Sequence, residues 1–376
     1  MNVFSPLSAR VSLGALRRNL RALRGRLPRD CALSVLVKAD GYGHGMESVA
    51  RVAAEEGSRF LIVATLGEAL RLRAMSPDAD ILIVGPLFVE EAPEAVANGL
   101  SVCVGSLETA RALDAAARAL ERPARVHMKL DTGMGRFGFL DTSAGLARIA
   151  EELAGLSGLR VEGILTHFSE ADDTKSEFTA EQCGRFEAAV REIRARGLRP
   201  QWIHAANSGA VAYFPPAAFS MARVGISAYG VYPGTAPAAG LDLEPVMTLA
   251  CRVADLRDVP AGTPVSYGRT FVTRRPSRLA LLPVGYGHGY PRHASGRAEA
   301  LIGGRRAPLV GRITMSLTVA DVTDLSGVKV GDAVLLFGRL AADVLRVEEV
   351  ARAAETIPYE VLCNVGRCAP RTIVED

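Results

Sequence analysis

The chain has few lysines, few aromatic residues and almost no net charge. Only four of its 44 basic residues are lysine (Lys38, Lys129, Lys175, Lys329), so a lysine inside an ordered motif stands out. A net charge of +3 over 376 residues argues against a nucleic-acid partner and against a polybasic membrane-surface protein. No apolar run approaches the ~20 residues that span a bilayer, so no membrane partner is expected. Residues 1–30 lack the charged start, apolar stretch and small-residue cleavage site of a secretion signal, which makes the cytoplasm the expected location. The six cysteines (Cys31, Cys103, Cys183, Cys251, Cys363, Cys368) form no C-x-x-C pair, so neither a zinc site nor a disulfide framework is expected.

What is present is enough apolar residue, 49% of the chain, for a sizeable core. At ~150 residues per domain the length suggests two domains. In the first 230 residues eight short apolar runs (33–37, 60–64, 81–84, 101–104, 126–130, 161–165, 202–205 and a weaker 221–224) alternate with amphipathic helical patterns. Continuous apolar runs separated by helices mean a parallel sheet covered on both faces. Eight of them over this length predict a (β/α)8 TIM-like barrel, with a doubly wound open sheet as the rival. Barrel chemistry sits where strands end. The residues just after the runs include Lys38, Asp40, Thr65, Gly85, Asp131, His167, Asn207, Ser208 and Gly225. Pro233, Gly234, Pro237 and Gly240 then mark a linker. Beyond it, turn signals every ~8–12 residues predict an all-β second domain over 241–376.

Four fragments carry chemistry. Lys38 ends the first apolar run and opens Lys38-Ala39-Asp40-Gly41-Tyr42-Gly43-His44-Gly45. A lysine buried at a strand end is costly unless it has a partner or a covalent adduct, and desolvation makes its amine nucleophilic. Lys129 ends another run, and a Gly-rich turn brings Arg136 close behind it. His167 stands at a third strand end. Asn207 and Ser208, with Arg223, Gly225 and Ile226, follow the last two runs, where barrels commonly bind phosphate. The pentapeptide Gly-Tyr-Gly-His-Gly occurs at 41–45 and again at 285–289, without a surrounding repeat.

Together these fragments resemble the alanine racemase family, pyridoxal 5'-phosphate enzymes built as a barrel plus a β-domain. The resemblance runs from Ser8 to Arg371, and the motif around Lys38 is its most specific part. It implies a PLP-binding barrel over 1–240, a β-rich domain over 241–376, and interconversion of L- and D-alanine to supply D-alanine for peptidoglycan. A serine or broader-specificity racemase of the same family is the alternative. The resemblance makes Lys38 the residue that holds the cofactor and one of two catalytic bases. It makes Tyr267 the second base, entering from the partner subunit of a homodimer. Tyr42, Ser208, Gly225, Ile226 and Tyr359 match positions around the cofactor phosphate, with Asn207 beside them. Arg223 matches the arginine facing the pyridine nitrogen, and His167 the residue linking it to Tyr267. Arg136 and Met315 match substrate-carboxylate positions, and Lys129 matches a lysine that is often carbamylated. Inverting a stereocentre needs one base on each face, which suits this pair. A phenol needs neighbouring positive charge to act near neutral pH, and Arg223 acting through His167 supplies it.

Three positions depart from the family pattern. Ser316 and His288 each stand where an aspartate is usual, and Val224 where a proline is common. The first two bear on substrate preference and on the approach to the site. A decarboxylase of the same plan is disfavoured by the Lys38 motif and by Tyr267. A lone-barrel cofactor-handling protein is disfavoured by residues 240–376.

Overall fold

The computed structural model describes residues 6–140 and 143–376. Ten strands run through its first half: β1 (Leu7–Ser12), β2 (Ala32–Leu36), β3 (Leu61–Val63), β4 (Ile81–Ile83), β5 (Ser101–Val104), β6 (Ala124–Asp131), β7 (Phe139–Leu140), β8 (Leu159–Leu165), β9 (Trp202–His204) and β10 (Met221–Val224). Eight are parallel neighbours in the order β10-β2-β3-β4-β5-β6-β8-β9, and short β7 pairs with β6. The Ser220 amide donates to Ile203 O (3.0 Å) and the Arg223 amide to Ala206 O (2.9 Å), which brings the ends of this sheet together as a nearly closed barrel. All eight expected runs are strands. The reason is visible at β3: Leu61 and Val63 pack outward under the helices, whereas Phe60 and Ile62 point inward. A run apolar on both faces is stable only where both faces are covered. Phe60, Ile62, Leu82, Cys103, Leu165 and Met221 fill part of the lumen.

Polar residues at the strand ends start the next helices. Thr65 accepts from the Glu68 amide, Ser106 from the Thr109 amide and Asn207 from the Ala210 amide, each satisfying a helix-end donor. The second domain is a sheet of mostly antiparallel strands, and it adds two helices, Val347–Ala353 and Pro358–Cys368. Its turn-rich composition pointed to strands only; Pro358, at the first turn of its helix, is the start signal within it. The largest difference from the sequence reading is β1. It lies within residues 1–240 but joins the second sheet, antiparallel to the strand Met247–Arg252 and parallel to Arg371–Val374. Nor is the Pro/Gly connection loose: the Tyr232 hydroxyl donates to Leu241 O (3.0 Å) and accepts from the Leu243 amide (3.1 Å).

Candidate active site

Lys38 follows β2 after one intervening residue and begins an unusual turn. Ala39, Asp40, Gly41 and Tyr42 all adopt left-handed backbone, with φ between 52° and 64°. For the three residues with a Cβ this costs ~1–2 kcal/mol each. Asp40 offsets that cost: its carboxylate accepts from the Met46 amide (3.0 Å) and from Arg371 Nη1 (2.7 Å). Arg371 Nη1 also donates to Gly43 O (2.8 Å), so a residue of the second sheet clamps the lysine turn of the barrel. The Lys38 amine has no hydrogen-bond partner among the described residues. Burial, then the Arg136 charge, lowers its pKa from the usual lysine value.

Behind the turn lies an aromatic floor. Tyr42 stacks on Tyr229 (4.9 Å between centroids), His44 stacks on the same ring (4.5 Å), and Tyr359 tilts against Tyr42 at 5.9 Å. Tyr229 was not singled out from sequence; its hydroxyl donates to Leu36 O (2.8 Å), one residue from the end of the buried segment leading to Lys38. Beside the floor is a cradle. Ser208 Oγ accepts from the Gly225 amide (2.9 Å), and a Cβ on Gly225 would stand 2.7 Å from Tyr42 Oη. Ile226 opens the one-turn helix that follows. Asn207 donates from Nδ2 to Phe168 O (3.1 Å) and so fixes the preceding loop. A tyrosine hydroxyl, a serine and backbone amides held open by a glycine are the donors that suit a phosphate.

Arg223, on β10, is buried. Its Nη2 donates to Thr166 O (2.8 Å) and Ala205 O (3.1 Å), and its Nη1 to His204 O (3.0 Å). The same guanidinium meets His167 Nδ1 at 3.2 Å and His204 Nδ1 at 3.0 Å. Burial lowers its pKa to about 10, which leaves it charged at neutral pH. Burial and the Arg223 charge also hold His167 well below the usual imidazole value, so it is neutral.

Lys129, on β6, is buried and donates to Phe137 O (2.7 Å). Burial brings its pKa down to about 8. Asp131 organises the loop that follows, accepting from the amides of Gly133 (3.0 Å), Gly135 (3.0 Å) and Arg136 (2.9 Å). Burial opposes the charge on Asp131, but these amides outweigh it and lower its pKa. The exposed Arg136 side chain is carried at the rim by this wrap.

Tyr267 and Met315 stand apart. They are 73% and 60% exposed on turns of the second domain, and no hydrogen bond joins Tyr267 to Lys38 within the chain. Their turns are tied together. Ser266 Oγ donates to Arg312 O (2.6 Å), and the amides of Tyr286 and Gly287 donate to Thr314 O (3.0 Å) and Met315 O (2.8 Å). Ser316 is exposed beside them. His288 Nδ1 accepts from the Gly285 amide (3.3 Å), so it closes its own turn.

The repeated pentapeptide acquires a use here. Gly43 (φ +83°) and Gly289 (φ +81°) both press against the helix Pro358–Cys368, where a Cβ would come within 2.4 Å of Leu362 O and Asn364 O respectively. One helix thus spaces the Lys38 turn from the Tyr286–His288 turn, and it also carries Tyr359.

A barrel with a half-buried strand-end lysine and a cradle of donors suited to an anion, clamped by a second β-rich domain, has the build of a two-domain barrel enzyme. Residues 11–233 match the family model of the alanine racemase N-terminal domain, and residues 246–373 that of the C-terminal domain. The chain is 42% identical over 366 residues to an alanine racemase of Symbiobacterium thermophilum, covering 97% of this chain and 96% of that one. It is 40% identical over 370 residues to one of Desulfovibrio desulfuricans, covering 98% of each. Among solved structures, the alanine racemase from Streptomyces coelicolor A3(2) superposes with a TM-score of 0.92 at 38% identity, covering 98% of both chains. That of Streptomyces lavendulae gives 0.93 at 35% identity, covering 100% of this chain and 98% of that one. The chain belongs to the alanine racemase family.

Proposed function

We propose that this protein interconverts L- and D-alanine with pyridoxal 5'-phosphate, as a cytoplasmic homodimer with shared active sites that supplies D-alanine for peptidoglycan. The observation that carries this reading is the desolvated, unpartnered Lys38 amine beside the Tyr42–Ser208–Gly225 cradle. The cradle fits the cofactor phosphate, with Ile226 and Tyr359 completing it and Asn207 bracing its loop. Arg223 suits the ring nitrogen because it can only donate.

The bound cofactor supplies a sink for the electron pair left when the α-proton departs. Lys38 anchors it and moves a proton on one face of the substrate. Its lowered pKa makes the neutral amine available as a base. Tyr267 of the partner subunit serves the opposite face. Its exposure, together with that of Met315, Tyr286 and Leu317, supports a second copy covering this surface. Arg136 meets the substrate carboxylate, as does the Met315 amide from the partner. Lys129, with a pKa near 8, holds enough neutral amine to add to carbon dioxide, forming a carbamate and releasing the amine proton to solvent, and the carbamate then orients Arg136.

The test is racemisation of L-alanine and L-serine by the cofactor-loaded protein. A higher kcat/KM for alanine is expected; no turnover of either amino acid would overturn the reading. Arg223 also makes a sharper prediction. A guanidinium leaves the ring nitrogen unprotonated and limits electron withdrawal, so Arg223→Glu is expected to slow racemisation by about 10²-fold or more and to raise the share of transamination, read as pyruvate. An unchanged partition between the two reactions counts against the role given to Arg223.

A further inference from the structure

Four side chains cross the barrel lumen in single file and end on Arg223. His127 Nε2 (on β6) lies 3.2 Å from Glu162 Oε1 (on β8). His127 Nδ1 lies 2.8 Å from His204 Nε2, at the end of β9, and His204 Nδ1 lies 3.0 Å from Arg223 Nη1. All four residues are buried. The sequence and pairing make room for this. The β6–β8 register slips between Val126 and His127, and the residue opposite His127 is Gly163, where a Cβ would stand 2.1 Å from the ring.

The two ends of the file are chemically fixed. An arginine only donates. Glu162 only accepts: it takes Ser101 Oγ (2.5 Å) and Arg125 Nε (3.0 Å) as well as His127. Burial alone raises its pKa, but His127, Ser101 and Arg125 together bring it down to about 2. Between an obligate donor and an obligate acceptor, two neutral imidazoles satisfy all three contacts in one way. Arg223 donates into His204 Nδ1, His204 Nε2–H into His127 Nδ1, and His127 Nε2–H into Glu162. Any imidazolium in the file sets two donors face to face. Arg223 has no carboxylate ion pair among the described residues, so its buried charge is answered by the carbonyls of Thr166, His204 and Ala205 and, beyond them, by the fixed polarity of this file ending on a carboxylate.

We propose that Glu162, His127 and His204 are positioning residues that lock Arg223 as a fixed hydrogen-bond donor toward the cofactor ring and so keep the reaction on racemisation rather than transamination. The inference rests on the assignment of Arg223 to that ring. It has a readout that does not depend on turnover. In the holoenzyme, histidine ¹⁵N NMR at pH 7 is expected to show both His127 and His204 as the neutral Nε2–H tautomer. An Nδ1–H tautomer or an imidazolium at either position overturns the proposal. Glu162→Gln replaces the obligate acceptor by a group that can also donate. It is expected to mix the two tautomers and to raise the transamination share about tenfold, the rate equivalent of one hydrogen bond, with little change in KM. Arg223→Glu separates the two levels. If Arg223→Glu shifts the partition and folded Glu162→Gln does not, the proposal fails. If neither shifts it, the ring assignment itself fails. If Glu162→Gln does not fold, the tautomers of the wild-type protein decide.

Discussion

In deuterium oxide, Tyr267→Phe is expected to wash deuterium into the α-position of one alanine enantiomer while inverting it ~10²–10⁴-fold more slowly than wild type, the range associated with one general acid–base group. The phenol oxygen is the only group the substitution removes, and the ring remains to fill its space. Lys38 still withdraws and returns a proton on its own face. Return from the other face lacks a donor, so exchange and inversion come apart. Equal loss of both, or of neither, would falsify the two-base reading. Because Tyr267 is 73% exposed and bonds to nothing near Lys38 in its own chain, the same variant also tests subunit sharing. Lys38→Ala and Tyr267→Phe proteins are each expected to be nearly inactive. Refolded together in equal amounts, they form mixed dimers in which one site has both wild-type residues, and about a quarter of the wild-type rate returns. No recovery would mean that Tyr267 serves the chain that carries it.

Much of this was legible in the residues, for physical reasons. A strand covered on both faces is mostly apolar along its length, so the eight runs appear without any knowledge of their partners. Lys38 was legible because a lysine at the very end of such a run conflicts with burial. The placement of β1 was not: Leu7–Ser12 reads as a short strand, and nothing local says that its partners are Met247–Arg252 and Arg371–Val374. Arg371, far along the chain, was likewise invisible as the clamp on Asp40. The file through the lumen lay between these extremes. In Val126-His127-Met128-Lys129-Leu130-Asp131 the polar residues fall on alternate positions of a strand that is buried along its length. That pattern places His127 and Lys129 on one face of the strand, inside a barrel, and an inward polar residue needs a partner there. Glu162 and His204 become that partner only once the strands curve round to meet.

The buried histidines carry the second large expectation, a steep loss of stability in mild acid. His44, His127 and His204 are buried and His167 half-buried, and each is held below the ordinary imidazole pKa, first by desolvation. Hydrogen bonding asks for the same neutral state. His44 Nδ1 faces two carbonyls at 3.0 Å while its Nε2 has no partner, so a second proton there would go unanswered. His167 and His204 each turn a ring nitrogen to Arg223, which only donates. The sign follows from these lowered values. Above pH ~6.5, the unfolded histidine pKa, both states are neutral and stability is whole. As pH falls below that, the unfolded chain takes up protons that the native state refuses, and stability drops until the folded values are reached, about 4 for His44. Each such group contributes a slope of up to ~1.4 kcal/mol per pH unit while only the unfolded chain is protonated, so four acting in the same direction make the loss steep against the ~5–15 kcal/mol typical of a folded protein. Glu162 adds nothing in this window, because its lowered pKa matters only below the ordinary carboxylate range of ~4.5. Calorimetric unfolding at fixed cofactor concentration, in buffers of different ionisation enthalpy, reads the effect as a net uptake of protons on unfolding that grows as pH falls below ~6.5. A melting temperature that stays flat from pH 7 to pH 5.5 would mean that these imidazoles are protonated in the native state, and the one-way file of hydrogen bonds to Glu162 could not then exist.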